Sequence, residues 1–114
     1  MIKGSEQALG GIGLSAEDQA RIREVLAGVA HLESAILYGS RAKGTYRHGS
    51  DIDLTLRGEE LTWKDLQYLE LALDDLLLPY QFDLSLYAQI DNPDLVEHIQ
   101  RVGMPFYRRD SFGP

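Results

Sequence analysis

Apolar and polar positions alternate along this chain with two clear periods, and the switches between them mark its elements. Ile22, Val25, Leu26 and Val29 recur at helical spacing behind Ser15 and Asp18, which resemble a capping box, so the pattern predicts a helix over about 16–30. Ala35-Ile36-Leu37-Tyr38 is a short apolar run closed by Gly39, as expected of a buried strand. Ser40 to Ser50 is polar and basic with two glycines, a loop holding at most a helical turn. Strict alternation then returns in Asp51-Ile52-Asp53-Leu54-Thr55-Leu56, which puts three apolar residues on one strand face and Asp51, Asp53 and Thr55 on the other. Thr62 caps a second helix carried by Leu66, Leu69, Leu73 and Leu76 up to Pro79. Gln81 to Tyr87 alternates again, with Asp83 and Ser85 opposite Phe82, Leu84 and Leu86. Asn92-Pro93 opens a last helix through Leu95, Ile99 and Val102, and Met104 to Tyr107 fits a short edge strand.

The order α, β, loop, β, α, β, α implies an α/β (α+β) domain: a small mixed sheet with helices packed on one face. With 114 residues there is room for a single domain, 1–114, with loose ends expected at 1–14 and 108–114. Composition narrows the function classes. Eighteen acids against eleven Lys and Arg give a net charge of -7, which speaks against broad, phosphate-driven nucleic-acid binding. Zero cysteines removes thiolate metal sites and cysteine nucleophiles. No apolar stretch approaches the roughly 20 residues of a membrane span and no signal peptide is evident, so the expected location is cytoplasmic.

Candidate chemistry sits on the polar strand faces. Asp51 and Asp53, two apart on a strand, stand about 6.6 Å apart along it and point the same way, a spacing suited to a hard cation such as Mg²⁺. If the second alternating strand lies beside the first, Asp83 joins them, giving the three carboxylates of a two-metal phosphoryl or nucleotidyl transfer site. Upstream, Gly39 lets a backbone approach a phosphate closely and Ser40 adds a hydroxyl. Arg41, Lys43 and Arg47 form a basic island, enough to offset the roughly three negative charges left by a triphosphate, three carboxylates and two divalent ions. Read alone, Asp-x-Asp is a common solvated pair, and the basic residues are surface charges by default. His31, His48 and His98 lack metal-ligand spacing, and Thr45 stands where a Walker A lysine belongs. Trp63 reads as a partly buried packing residue.

Gly39-Ser40, ten residues, then Asp51-Ile52-Asp53-Leu54 resembles the signature of the polymerase-β-like nucleotidyltransferases. Gly39-Ser40-Arg41-Ala42-Lys43-Gly44 and Ser50-Asp51-Ile52-Asp53-Leu54 are similar to the minimal nucleotidyltransferase branch, with Lys43 where many relatives carry arginine. The resemblance covers about 35–107. It implies Mg²⁺-dependent transfer of AMP from ATP with loss of pyrophosphate. Asp51, Asp53 and Asp83 would hold two ions, Asp83 would help deprotonate the acceptor, and Gly39, Ser40, Arg41, Lys43 and Ser50 would hold the nucleotide. It also implies a HEPN-domain toxin as partner, modified on a tyrosine hydroxyl, with this chain its antitoxin. The alternative is a non-catalytic antitoxin that caps a ribonuclease partner.

Overall fold

The computed structural model describes residues 11–109. The elements are helix α1 (Ala16–Ala27), strand β1 (Ser34–Tyr38), the short helix α2 (Gly39–Lys43), β2 (Ile52–Arg57), α3 (Trp63–Asp74), β3 (Phe82–Leu86), a 3₁₀ turn (Tyr87–Gln89), α4 (Pro93–Val102) and β4 (Met104–Arg108). The strands form one mixed sheet in the order β3-β2-β1-β4. β1 pairs antiparallel with β2 and β4, whereas β2 and β3, joined through α3, run parallel.

The helices start where the side chains can satisfy free amides. Ser15 accepts from the Asp18 amide, Thr62 and Asp65 form a reciprocal capping box, and Asn92 accepts from the Asp94 and Leu95 amides ahead of Pro93. They end earlier than apolar spacing predicts: α1 stops at Ala27 and α3 at Asp74. Val29 and Leu76 still pack on the core, but from the turns that follow, so an apolar residue in phase does not by itself extend a helix.

One sheet face carries Ala35, Leu37, Ile52, Leu54, Leu56, Leu84 and Leu86, and α1 and α3 cover it with Ile22, Leu26, Leu66, Leu69 and Leu73. The other face is not bare. α4 crosses it over β1, burying Ile99, while Gly103 comes up against the Ile36 side chain. Helices therefore pack on both faces: two on the core side and one, with the short α2, on the polar side. That arrangement closes the polar face around Thr55, which is completely buried.

Of the ends expected to be loose, residues 1–10 and 110–114 lie outside the described residues. Within them, Leu14 is fully buried in the core. Arg109 donates to the carbonyls of Ala27, Val29 and Leu32, tying the end of β4 to the turn after α1. Trp63 is exposed, contrary to its expected packing role, while Leu66 in the same turn takes the core position. None of the described helices is long and apolar enough to cross a membrane.

Candidate active site

Strand register assembles the polar face. Tyr38 on β1 lies opposite Asp53 on β2, and Asp53 lies opposite Asp83 on β3. One step along, Ile36, Thr55 and Ser85 form the next row. Strand neighbours are about 4.8 Å apart, so Asp53 and Asp83, far apart in sequence, become adjacent carboxylates. Asp51 precedes β2 and is exposed.

The fields at this end of the sheet are visible in its ionisation. Burial holds the Asp53 carboxyl above its ordinary value, and the charges of Asp83 and Asp51 push it further the same way; Arg41 and His98 offset part of that. Burial likewise raises the Tyr38 phenol, against a hydrogen bond with Ser85 and with the help of Asp83 and Asp53. Ser85 donates to Thr55 Oγ1 at 2.9 Å, so a hydroxyl ladder runs beneath the carboxylates.

Gly39 begins α2 with φ +77°, and a Cβ at this position would land on Asp53 Oδ2. Only glycine lets the turn after β1 lie against that carboxylate. Gly44 ends α2 in the left-handed conformation, with its amide donating to the Ser40 carbonyl. Ser40, half-buried, thus sits in a turn fixed at both ends. Lys43 and Arg47 are exposed beside it, and the Ser50 hydroxyl accepts from the Arg47 amide at 2.8 Å.

Arg41 has a different place from the phosphate-facing charge its position suggests. It is 2% exposed, and its guanidinium donates to the carbonyls of Ile12, Gly13, Ser50 and Asp51 at 2.8–3.4 Å, with the rings of Tyr46 and Tyr80 on its faces. It fixes the backbone that carries Asp51 against the segment before α1. The approach of Ile12 and Gly13 is a tertiary event, which no local pattern announces.

Two participants were missed by the sequence reading, only one of them for want of a signal. His98, on α4, accepts the Gly39 amide on Nε2 at 3.3 Å and meets the Tyr38 ring edge-on. No spacing flags it, since its place depends on α4 crossing β1. Tyr38 had a signal in its phase: it follows Ser34 and Ile36 on the side opposite Ala35 and Leu37, the side its register shares with Asp53.

Among the described residues, no three acidic or imidazole groups already form a closed cation cradle. The donor chemistry still fits a hard divalent ion. The three carboxylates supply oxygen donors, and their mutual repulsion at Asp53 is what such an ion relieves.

A mixed sheet with a strand-to-turn glycine against an Asp-x-Asp strand and a third aspartate beside it defines a nucleotidyl-transferring architecture. The family model for the polymerase β nucleotidyltransferases matches residues 20–112, and this chain belongs to that family. A structure described as a candidate minimal nucleotidyltransferase is 32% identical, covering 76% of this chain and 90% of its own, with a TM-score of 0.57. A toxin–antitoxin structure with AMP-PNP has a TM-score of 0.65 at 22% identity, covering 79% of this chain and 73% of that one. A complex of a tri-AMPylated HEPN toxin from Shewanella oneidensis with its MNT antitoxin has a TM-score of 0.60 at 18% identity, covering 81% and 71%. No curated protein matches the sequence.

Proposed function

We propose that this chain is a minimal nucleotidyltransferase that transfers AMP from ATP to a tyrosine hydroxyl of a HEPN-domain toxin, and so acts as its antitoxin in the cytoplasm, where ATP is plentiful. The observation that carries the reading is the pairing of Asp53 with Asp83 beside a glycine that must lie against Asp53, within a domain of this family. The similar structures described as AMP-PNP-bound and as AMPylated toxin complexes supply the substrate and the acceptor.

Gly39, Ser40, Lys43 and Ser50 hold the triphosphate: Gly39, its own amide given to His98, lets the backbone come close, the α2 turn after it offers amides and the Ser40 hydroxyl, and Lys43 adds a cation at its rim. Arg41 serves the nucleotide indirectly, by fixing Ser50 and Asp51. The acceptor oxygen attacks the α-phosphorus as the bond to the β-phosphate breaks and pyrophosphate leaves. Asp83, exposed at the edge of the site, takes the acceptor proton. Asp51, Asp53 and Asp83 are the residues that would hold Mg²⁺, which when bound polarises the phosphates and offsets the charge on the leaving pyrophosphate. So small a domain has little wall for an acceptor pocket, so the partner supplies much of it.

The test is the intact mass of every polypeptide that co-purifies with the tagged chain, before and after ATP and Mg²⁺, with Asp53→Asn as control. AMP-sized increments on a partner with the native chain alone are expected. A tightly bound partner that stays unmodified overturns the transfer reaction in favour of neutralisation by capping.

A further inference from the structure

Away from the carboxylates, the sheet carries a second charged row that nucleotide transfer does not use. Ser34 on β1 is flanked in register by Arg57 on β2 and Arg108 on β4, so both arginines stand on its face of the sheet, their Cα atoms about 10 Å apart. Both are exposed. Three clefts of about 350, 280 and 570 Å³ meet at Arg57, and Arg108 lines the latter two. The middle cleft has Ser34 and Ile36 in its lining, with Tyr87 and Gln100 beside them; the Gln100 amide donates to the Tyr87 hydroxyl at 3.4 Å.

Arg41 and Arg109 are committed to backbone carbonyls, Arg23 to the Phe106 carbonyl and ring, and Arg101 to Glu97. Among the described residues neither Arg57 nor Arg108 has a carboxylate partner; Arg57 lies over the Tyr87 ring at 5.1 Å. Lys43, Arg47 and Lys64 are likewise exposed without a carboxylate partner among the described residues, but only Arg57 and Arg108 flank one residue in register across neighbouring strands. Glu33 lines the outer clefts, but its carboxylate accepts the Glu59 amide. Glu59 joins Glu33 in the first cleft, whereas the middle one holds Arg57 and Arg108 with no acid in its lining. Solvent screens the repulsion between two exposed charges about 10 Å apart, so both stay available to an anion that bridges them.

We infer that the Arg57–Ser34–Arg108 row, with Tyr87, docks a glutamate- or aspartate-bearing segment of a protein partner. Paired arginines bind carboxylates through planar, two-point hydrogen bonds, and the cleft between them admits the aliphatic stem of the acid. Two unpaired cations on an acidic chain suit a few carboxylates and not a polyphosphate backbone, which calls for a broad basic face. The row lies four residues along β2 from Asp53, about 13 Å, with α4 packed between, so it anchors the partner without entering the site. The inference rests on the partner assigned above but not on AMP transfer.

The experiment titrates the nitrogen-labelled chain with a short blocked glutamate-rich peptide, and in parallel with its lysine counterpart, inorganic phosphate and a single-stranded oligonucleotide. Saturable shifts of the Arg57 and Arg108 Nε–H signals and the Ser34 and Tyr87 amides are expected with the glutamate peptide. Arg57→Gln and Arg108→Gln should each weaken its binding about tenfold, the scale of one charge-assisted hydrogen bond. Unchanged melting temperatures and spectra identify folded variants. Asp53→Asn should bind the peptide as the native chain does, so docking and transfer fail independently. No saturable binding, binding indifferent to both substitutions, full displacement by phosphate, or preference for the oligonucleotide each overturns the inference.

Discussion

Replacing Asp53 by asparagine should stabilise this protein while removing its proposed activity. The ionised form of Asp53 is held at a cost: burial and the charges of Asp83 and Asp51 outweigh the attraction of Arg41 and His98. At an effective dielectric of about 20, two unit charges about 6 Å apart repel by about 3 kcal/mol; exposure of Asp83 to solvent screens that to about 1 kcal/mol. Asparagine keeps the shape and drops the charge, so near neutral pH the melting temperature should rise by about 3–6 °C. A carboxyl whose folded value is raised binds protons more readily folded than unfolded. The penalty therefore holds in full above the raised value and fades as pH falls towards the usual 3.8. Differential scanning calorimetry of both proteins across that range reads the effect, and the gap between them should close on acidification. A variant that melts no higher than the native chain near neutral pH, or a gap that persists below pH 3.8, would refute the reasoning. Stability gained where activity is lost is the mark of a site kept strained for its chemistry.

Adding Mg²⁺ near neutral pH should raise the melting temperature of the native chain and leave Asp53→Asn nearly unmoved, measured in the same scans. Gly39→Ala forces φ +77° on alanine and drives its methyl into Asp53, so it should cost about 1–3 kcal/mol in denaturant unfolding and abolish AMP incorporation from labelled ATP. Arg41→Ala strands four backbone carbonyls and should cost about 2–4 kcal/mol, and lysine, lacking the fork, should restore only a minor part of it. Tyr38→Phe removes the phenol paired with Ser85 and should cost about 0.5–1.5 kcal/mol by chemical denaturation, leaving the His98 ring contact in place.

Local chemistry made much of this molecule legible in advance. Alternation over 51–56 and 81–87 fixes which side chains share a face, because successive residues of any strand point opposite ways. Caps at Ser15, Thr62 and Asn92 mark helix starts because the side chains that satisfy free amides lie within three residues of them. The glycine, serine and aspartates of the site are therefore readable as types at fixed offsets, and they carry the family resemblance.

Only the tertiary structure decided what those residues meet. Asp53 faces Asp83 because β3 returns parallel through α3, a register set by burial of Leu84 and Leu86 and not by anything near Asp53. Arg41 becomes a buried brace instead of a surface cation because the segment at Ile12 and Gly13 closes over it. His98 reaches Gly39, and Arg57 lines up with Arg108, because α4 crosses the polar face and β4 adds to the free edge of β1. The sequence determined which faces exist and which chemistry they bear. Which faces meet was decided by packing, whose contacts join residues too distant along the chain for any periodicity to encode.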